Sequence, residues 1–133
     1  MTSPLPLPVT LITACVLALF NLILIVRVGQ GRFLHKVSLG DGGHPDMLVR
    51  MRTHANFVEY VPLIIILMGI LELSNVNRLA LAVGGVLLVL FRLLHAIGMP
   101  RRAPNLFRAA GAGGTILLMV VWAVWGLVLV ATA

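Results

Sequence analysis

The sequence predicts an all-α membrane protein, a bundle of four transmembrane helices, and three observations carry that expectation. Of the 133 residues, 60% are hydrophobic and only 11% are charged, with a mean hydropathy of +1.08; a soluble domain of this length needs far more charge to cover its surface. The apolar residues fall into four runs, each near the ~20 residues that a helix needs to cross a bilayer core. Glycines, prolines and charges collect between those runs, where they break helices. The chain, 1–133, therefore reads as one domain.

Helix one is expected over about 9–32, following the turn signals Pro4, Pro6 and Pro8. Met1 to Pro8 carries no charged side chain and no small-residue cleavage pattern, so this run is expected to be retained rather than removed as a signal peptide. Val37 to Pro45 contains Gly40, Asp41, Gly42 and Gly43 and reads as a loop. Helix two is expected over 46–73 and helix three over 76–97, with Ser74 or Asn75 as the candidate cap. Gly98, Pro100 and Pro104 interrupt the chain, and Pro104 suits the first turn of helix four, over 104–130.

Charge sets the expected orientation. Arg32, Lys36, Arg50 and Arg52 flank the first loop, and Arg101, Arg102 and Arg108 follow helix three, whereas the opposite side has only Arg78. The positive-inside rule then places both termini on the non-cytoplasmic side, with Trp122 and Trp125 at the outer interface. The net charge of +6 lies at helix ends without interleaved aromatics, which argues against nucleic-acid binding. The single cysteine, Cys15, allows no intrachain disulfide and reads as apolar filler. No cysteine–histidine spacing of a zinc or haem site occurs. In helix four, Ala110 to Gly114 consists of alanine and glycine, with Ala110 and Gly114 four apart, a pattern for close helix packing. No strand precedes these glycines, so a phosphate-cradling loop does not fit.

Helix two carries the unusual chemistry. At 100° per residue, Arg52, Asn56 and Glu59 stand at about 0°, 40° and −20°, a single polar stripe. Glu59 lies roughly 20 Å along the helix, a depth at which an ionisable group needs a partner, a cavity or a second subunit. Pro62 leaves the carbonyl of Val58 without its helical donor. Helix three has Arg92, His95 and Met99 at i, i+3 and i+7. Arg32, Arg52, Arg92 and Arg108, one per helix, are expected to converge near the cytoplasmic face with Glu59 as the lone carboxylate. Such a layer suits an anionic ligand. The alternative is interhelical pairing of Arg52 or Arg92 with Glu59 while Arg32 and Arg108 reach the headgroups. His54 points away from the stripe, and Asn21 reads as an interhelical hydrogen-bond donor.

The run Arg52-x-x-x-Asn56-x-x-Glu59-Tyr60-x-Pro62 resembles the signature of the membrane-associated proteins in eicosanoid and glutathione metabolism, the MAPEG family, which includes microsomal glutathione transferases. Gly29-Gln30-Gly31-Arg32, Arg92-x-x-His95 and Arg108 extend the likeness over most of the chain, nearest to the bacterial branch. The resemblance implies a homotrimer in a bacterial inner membrane, with glutathione as co-substrate bound between subunits and an apolar electrophile entering from the lipid. It implies that Arg32, Arg52, Asn56, Glu59, Tyr60, Arg92 and His95 hold glutathione and that Arg108 faces the sulfur as the catalytic cation. Relatives often carry a tyrosine where this chain has Met99. That departure favours, as the alternative, a non-catalytic lipid- or anion-binding protein of the same fold.

Overall fold

The computed structural model describes residues 5–133; Pro4 and the residues before it lie outside that range. Four helices form: α1 (Pro8–His35), α2 (Pro45–Leu73), α3 (Arg78–Gly98) and α4 (Leu106–Thr132). Each is long and apolar enough to cross a membrane, and no strand occurs among the described residues. At 1.5 Å per residue, α3, the shortest at 21 residues, still spans about 31 Å.

The helix ends refine the sequence reading. α1 begins at Pro8, where the ring costs no hydrogen bond, and closes on Lys36 in the left-handed region (φ +54°). The expected loop between α1 and α2 is present, with Gly40, Gly42 and Gly43 all at positive φ, a conformation that glycine adopts freely. α3 is capped by Asn77, not by Ser74 or Asn75: its side chain accepts from the Ala80 N–H at 3.0 Å. Asn75 instead turns the chain at φ +55°. α4 starts two residues after Pro104, because the Asn105 side chain accepts from the Arg108 N–H at 2.8 Å and fixes the first turn there.

α2 and α3 occupy the middle, α1 packs on both, α4 packs on both, and α1 and α4 do not meet. The core runs through Leu17, Phe57, Ile64, Met68, Leu81 and Leu88. The closest seam joins α3 to α4. A methyl group on Gly111 would overlap the α3 backbone at His95 and Phe91, and one on Gly98 would overlap the backbone of Arg108. Gly114, expected at a close approach, admits the Phe91 ring, and within α4 it is Gly111 that meets the α3 backbone.

Two expectations fail. Trp122 is not an interfacial anchor: it is 2% exposed, with its indole laid over Gly84, where an added Cβ would lie 2.6 Å from the ring. A large ring facing a glycine gains more from that slot than from the headgroup zone. Among the described residues Asn21 makes no interhelical bond, and its buried Oδ1 has no partner there. Cys15 is exposed on the outer surface of α1.

At the end of the bundle opposite the basic loops, Glu72 is 2% exposed and caps α1 from another helix. Its Oε1 accepts from the Val9 N–H at 3.0 Å and its Oε2 from the Thr10 N–H at 2.8 Å. Leu7, at the N-cap position, offers no side-chain acceptor, so the carboxylate of α2 satisfies donors that the local sequence leaves free.

Candidate functional site

α2 separates its faces cleanly. The buried residues Thr53, Phe57, Val61, Ile64 and Met68 centre about 130° around the helix from the Arg52–Asn56–Glu59 stripe. The stripe therefore lies away from the core face, with Asn56 at its inner edge. Arg52 and Glu59 are exposed and Asn56 is half-buried.

On α3 the outcome differs. Arg92 shares its face with Leu81, Gly85, Leu88 and Ala96, all buried, and is itself 1% exposed. Its guanidinium is held by polar groups of three helices. Nη2 donates to Asn56 Oδ1 at 2.6 Å and lies 3.2 Å from His95 Nδ1. Nη1 donates to Thr115 Oγ1 at 3.4 Å, and the Thr115 hydroxyl in turn donates to the Gly111 carbonyl at 2.7 Å. The Phe57 ring centroid lies 5.9 Å from the guanidinium carbon. Arg92 thus ties α2, α3 and α4 together and orients Asn56 and His95.

Those two side chains open on a groove of about 240 Å³ lined by Leu48, Val49, Arg52, Asn56, His95, Met99 and Arg108. Arg52 comes from α2 and Arg108 from the first turn of α4, and no carboxylate lines the groove. Gly98 brings the Arg108 backbone against the end of α3, and Asn105 ties the segment down by donating to the Gly98 carbonyl at 3.1 Å. Two cations, an amide and an imidazole around a polar cleft make an anion-binding arrangement.

The structure brings together Arg52, Asn56, Arg92, His95 and Arg108. Four expected residues are not in the groove lining: Arg92, which lies behind Asn56 and His95, and Arg32, Glu59 and Tyr60. Arg32 ends α1 on the far side of α2 and donates to the Gly40 carbonyl at 3.1 Å. The four-arginine layer therefore narrows to Arg52, Arg92 and Arg108 within one protomer, because α1 and α4 are not neighbours. Glu59 sits further along the exposed stripe, and Tyr60 packs against the core. Among the described residues neither Arg52 nor Arg92 pairs with Glu59; the ion pairs are His35–Asp46 at 2.8 Å and Arg50–Asp46 at 4.0 Å. The pairing alternative is not what this structure contains. Thr115 is the member of the constellation that the sequence reading missed. Its spacing of four from Gly111, on the α4 face turned toward Arg92, was the available signal.

The MAPEG family matches residues 10–128. The inner membrane protein YecN of Escherichia coli strain K12 is 33% identical over 97 residues, covering 71% of this chain and 73% of that protein. YecN of Escherichia coli O6:H1 gives the same values. No solved structure matches the chain.

Proposed function

The chain belongs to the MAPEG family, and from that premise we propose that it binds glutathione in the Arg52–Arg108 groove and activates its thiol against apolar electrophiles. One observation carries the reading: two exposed guanidiniums from different helices share a polar cleft with no carboxylate in its wall. Glutathione offers two carboxylates and a thiol. Arg52 and Asn56 suit the peptide carboxylates and amides, and His95 supplies a further polar contact. Arg92 contributes by holding Asn56 and His95 in place.

Arg108 is the proposed catalytic cation. A free thiol has a pKa near about 8.5, and an adjacent guanidinium lowers it, raising the thiolate fraction near neutral pH. The sulfur lone pair then forms a carbon–sulfur bond at the electrophile while a leaving group departs, or an activated double bond takes the electron pair and afterwards a proton. A peroxide would instead be attacked at oxygen, with a second glutathione completing its reduction.

The exposed stripe of α2 supports a homotrimer in which the groove is completed by a neighbour. Glu59 and Tyr60 would extend the glutathione site along α2, and Arg32 would reach it from the adjacent copy. The four apolar helices and the inner-membrane relatives support a bacterial inner membrane, with the basic loops and the groove at the cytoplasmic face and both termini outside.

Met99 in the groove wall favours the second reading, a lipid- or anion-binding member without catalysis, since a thioether donates no hydrogen bond to a sulfur anion. Thiolate absorbance at about 240 nm separates the two. Under the leading reading, glutathione added to the protein gives the thiolate band, and Arg108→Ala removes it while retaining much of the affinity. Binding without the band supports the second reading. Equal loss of band and affinity in Arg108→Ala would make Arg108 a binding residue only.

A further inference from the structure

A second groove, of about 340 Å³, lies at the same end of the bundle and is lined by Arg27, Pro45, Asp46, Val49, Arg50 and Pro100. It shares Val49 with the glutathione groove but none of its charged residues. Arg27 stands eight residues before the end of α1, about 12 Å inside it. Its guanidinium forms no hydrogen bond or ion pair among the described residues. Arg50 is fixed beside it: Nη1 donates to the Arg27 carbonyl at 2.9 Å. Its chain passes over Gly31, where an added Cβ would lie 2.9 Å from Arg50 Cδ. Asp46 forms the rim, 4.0 Å from Arg50 Nε, with Oδ2 held by His35 at 2.8 Å.

Two guanidiniums beside one carboxylate offer a cationic pair for a phosphodiester and, at the rim, an acceptor for an ammonium. Ile23 and Leu34, on the Arg27 side of α1, are 55% and 66% exposed, so the groove adjoins apolar surface that suits acyl chains. A soluble anion has no use for that surface; a lipid does. The Asp46 side chain is 51% exposed at the rim, where a further donor can reach it. We propose that this groove seats the headgroup of an aminophospholipid, with the phosphodiester on Arg27 and Arg50 and the ammonium on Asp46. The seat would anchor α1 to α2 at the headgroup level and is independent of whether glutathione binds nearby.

The test is native mass spectrometry of the full chain in its native assembly, released from bilayers containing phosphatidylethanolamine, phosphatidylglycerol or phosphatidylcholine. Phosphatidylethanolamine should be retained several-fold over the other two, because choline has no N–H donor and glycerol no cation. Losing a charge-assisted contact should lower that retention at least about tenfold in Arg27→Gln, with Arg27→Lys restoring most of it. Asp46→Asn should abolish the preference over phosphatidylcholine and leave weaker retention of both. Equal retention of phosphatidylethanolamine by wild type and Arg27→Gln would overturn the proposal. So would its displacement by millimolar inorganic phosphate, which would make the groove a soluble-anion site.

Discussion

Gly111 offers the sharpest test of how the bundle holds its groove, because Gly113, two residues along the same helix, is a built-in control. A Cβ on Gly111 would sit 2.7 Å from His95 Cα and 2.6 Å from the Phe91 carbonyl oxygen, whereas one on Gly113 meets nothing within 4 Å. The His95 backbone nitrogen is nearer still, so reaching an ordinary contact near 3.4 Å requires α3 and α4 to part by about 1 Å, and backbone cannot rotate aside as a side-chain tip can. Overpacking of this kind costs about 1–3 kcal/mol, against a helix-propensity gain of up to about 1 kcal/mol for glycine to alanine. Gly111→Ala should therefore lose roughly 1–2 kcal/mol net, and Gly113→Ala should be neutral or slightly more stable. Because Arg108 lies one turn before Gly111 and His95 faces it, the same parting should widen the groove, and under the proposed function glutathione affinity should fall with it. Unfolding of the detergent-solubilised protein, followed by helical circular dichroism, measures the difference between the two variants. Equal stability of Gly111→Ala and Gly113→Ala would refute the packing argument.

Other outcomes follow from the same contacts. Glu72→Ala should destabilise the bundle by about 2 kcal/mol, since two N–H groups of α1 lose a charged acceptor. Glu72→Gln should lose less, and hydrogen exchange at Val9 and Thr10 should rise in both. Met99→Tyr places a phenol in the groove wall and should strengthen the glutathione thiolate band at fixed protein concentration; an unchanged band would mean that position 99 does not face the sulfur. Asn56→Ala leaves the buried Arg92 guanidinium without its shortest partner and should cost about 1.5–3 kcal/mol in stability, besides lowering glutathione affinity in titration.

Much of the fold was legible because lipid imposes a coarse rule: long apolar runs bounded by turn residues can do little but span. The stripe of Arg52, Asn56 and Glu59 was legible for the same reason, since three polar residues on one helical face are conspicuous against apolar neighbours. Features that depend on a second helix were harder to see. Arg92 has the same composition cue as Arg52, but its face also carries Leu81, Gly85, Leu88 and Ala96, and that neighbourhood buries its guanidinium instead of leaving it exposed. Trp122 resembled an interfacial anchor because its partner, Gly84, lies 38 residues away on α3. Glu72 gave no local pattern at all: its role appears only when α1 brings two free N–H groups to it. Arg32 failed to join the groove within one protomer because helix order in the sequence does not reveal that α1 and α4 are kept apart.

The central claim is that Arg52 and Arg108 make an anion site for glutathione. Calorimetric titration of glutathione into the intact detergent-solubilised assembly tests it most directly. Saturable binding is expected, weakening with added salt and lost when Arg52 and Arg108 are both replaced by glutamine. No heat of binding at millimolar glutathione, in an assembly shown to be folded, would contradict it.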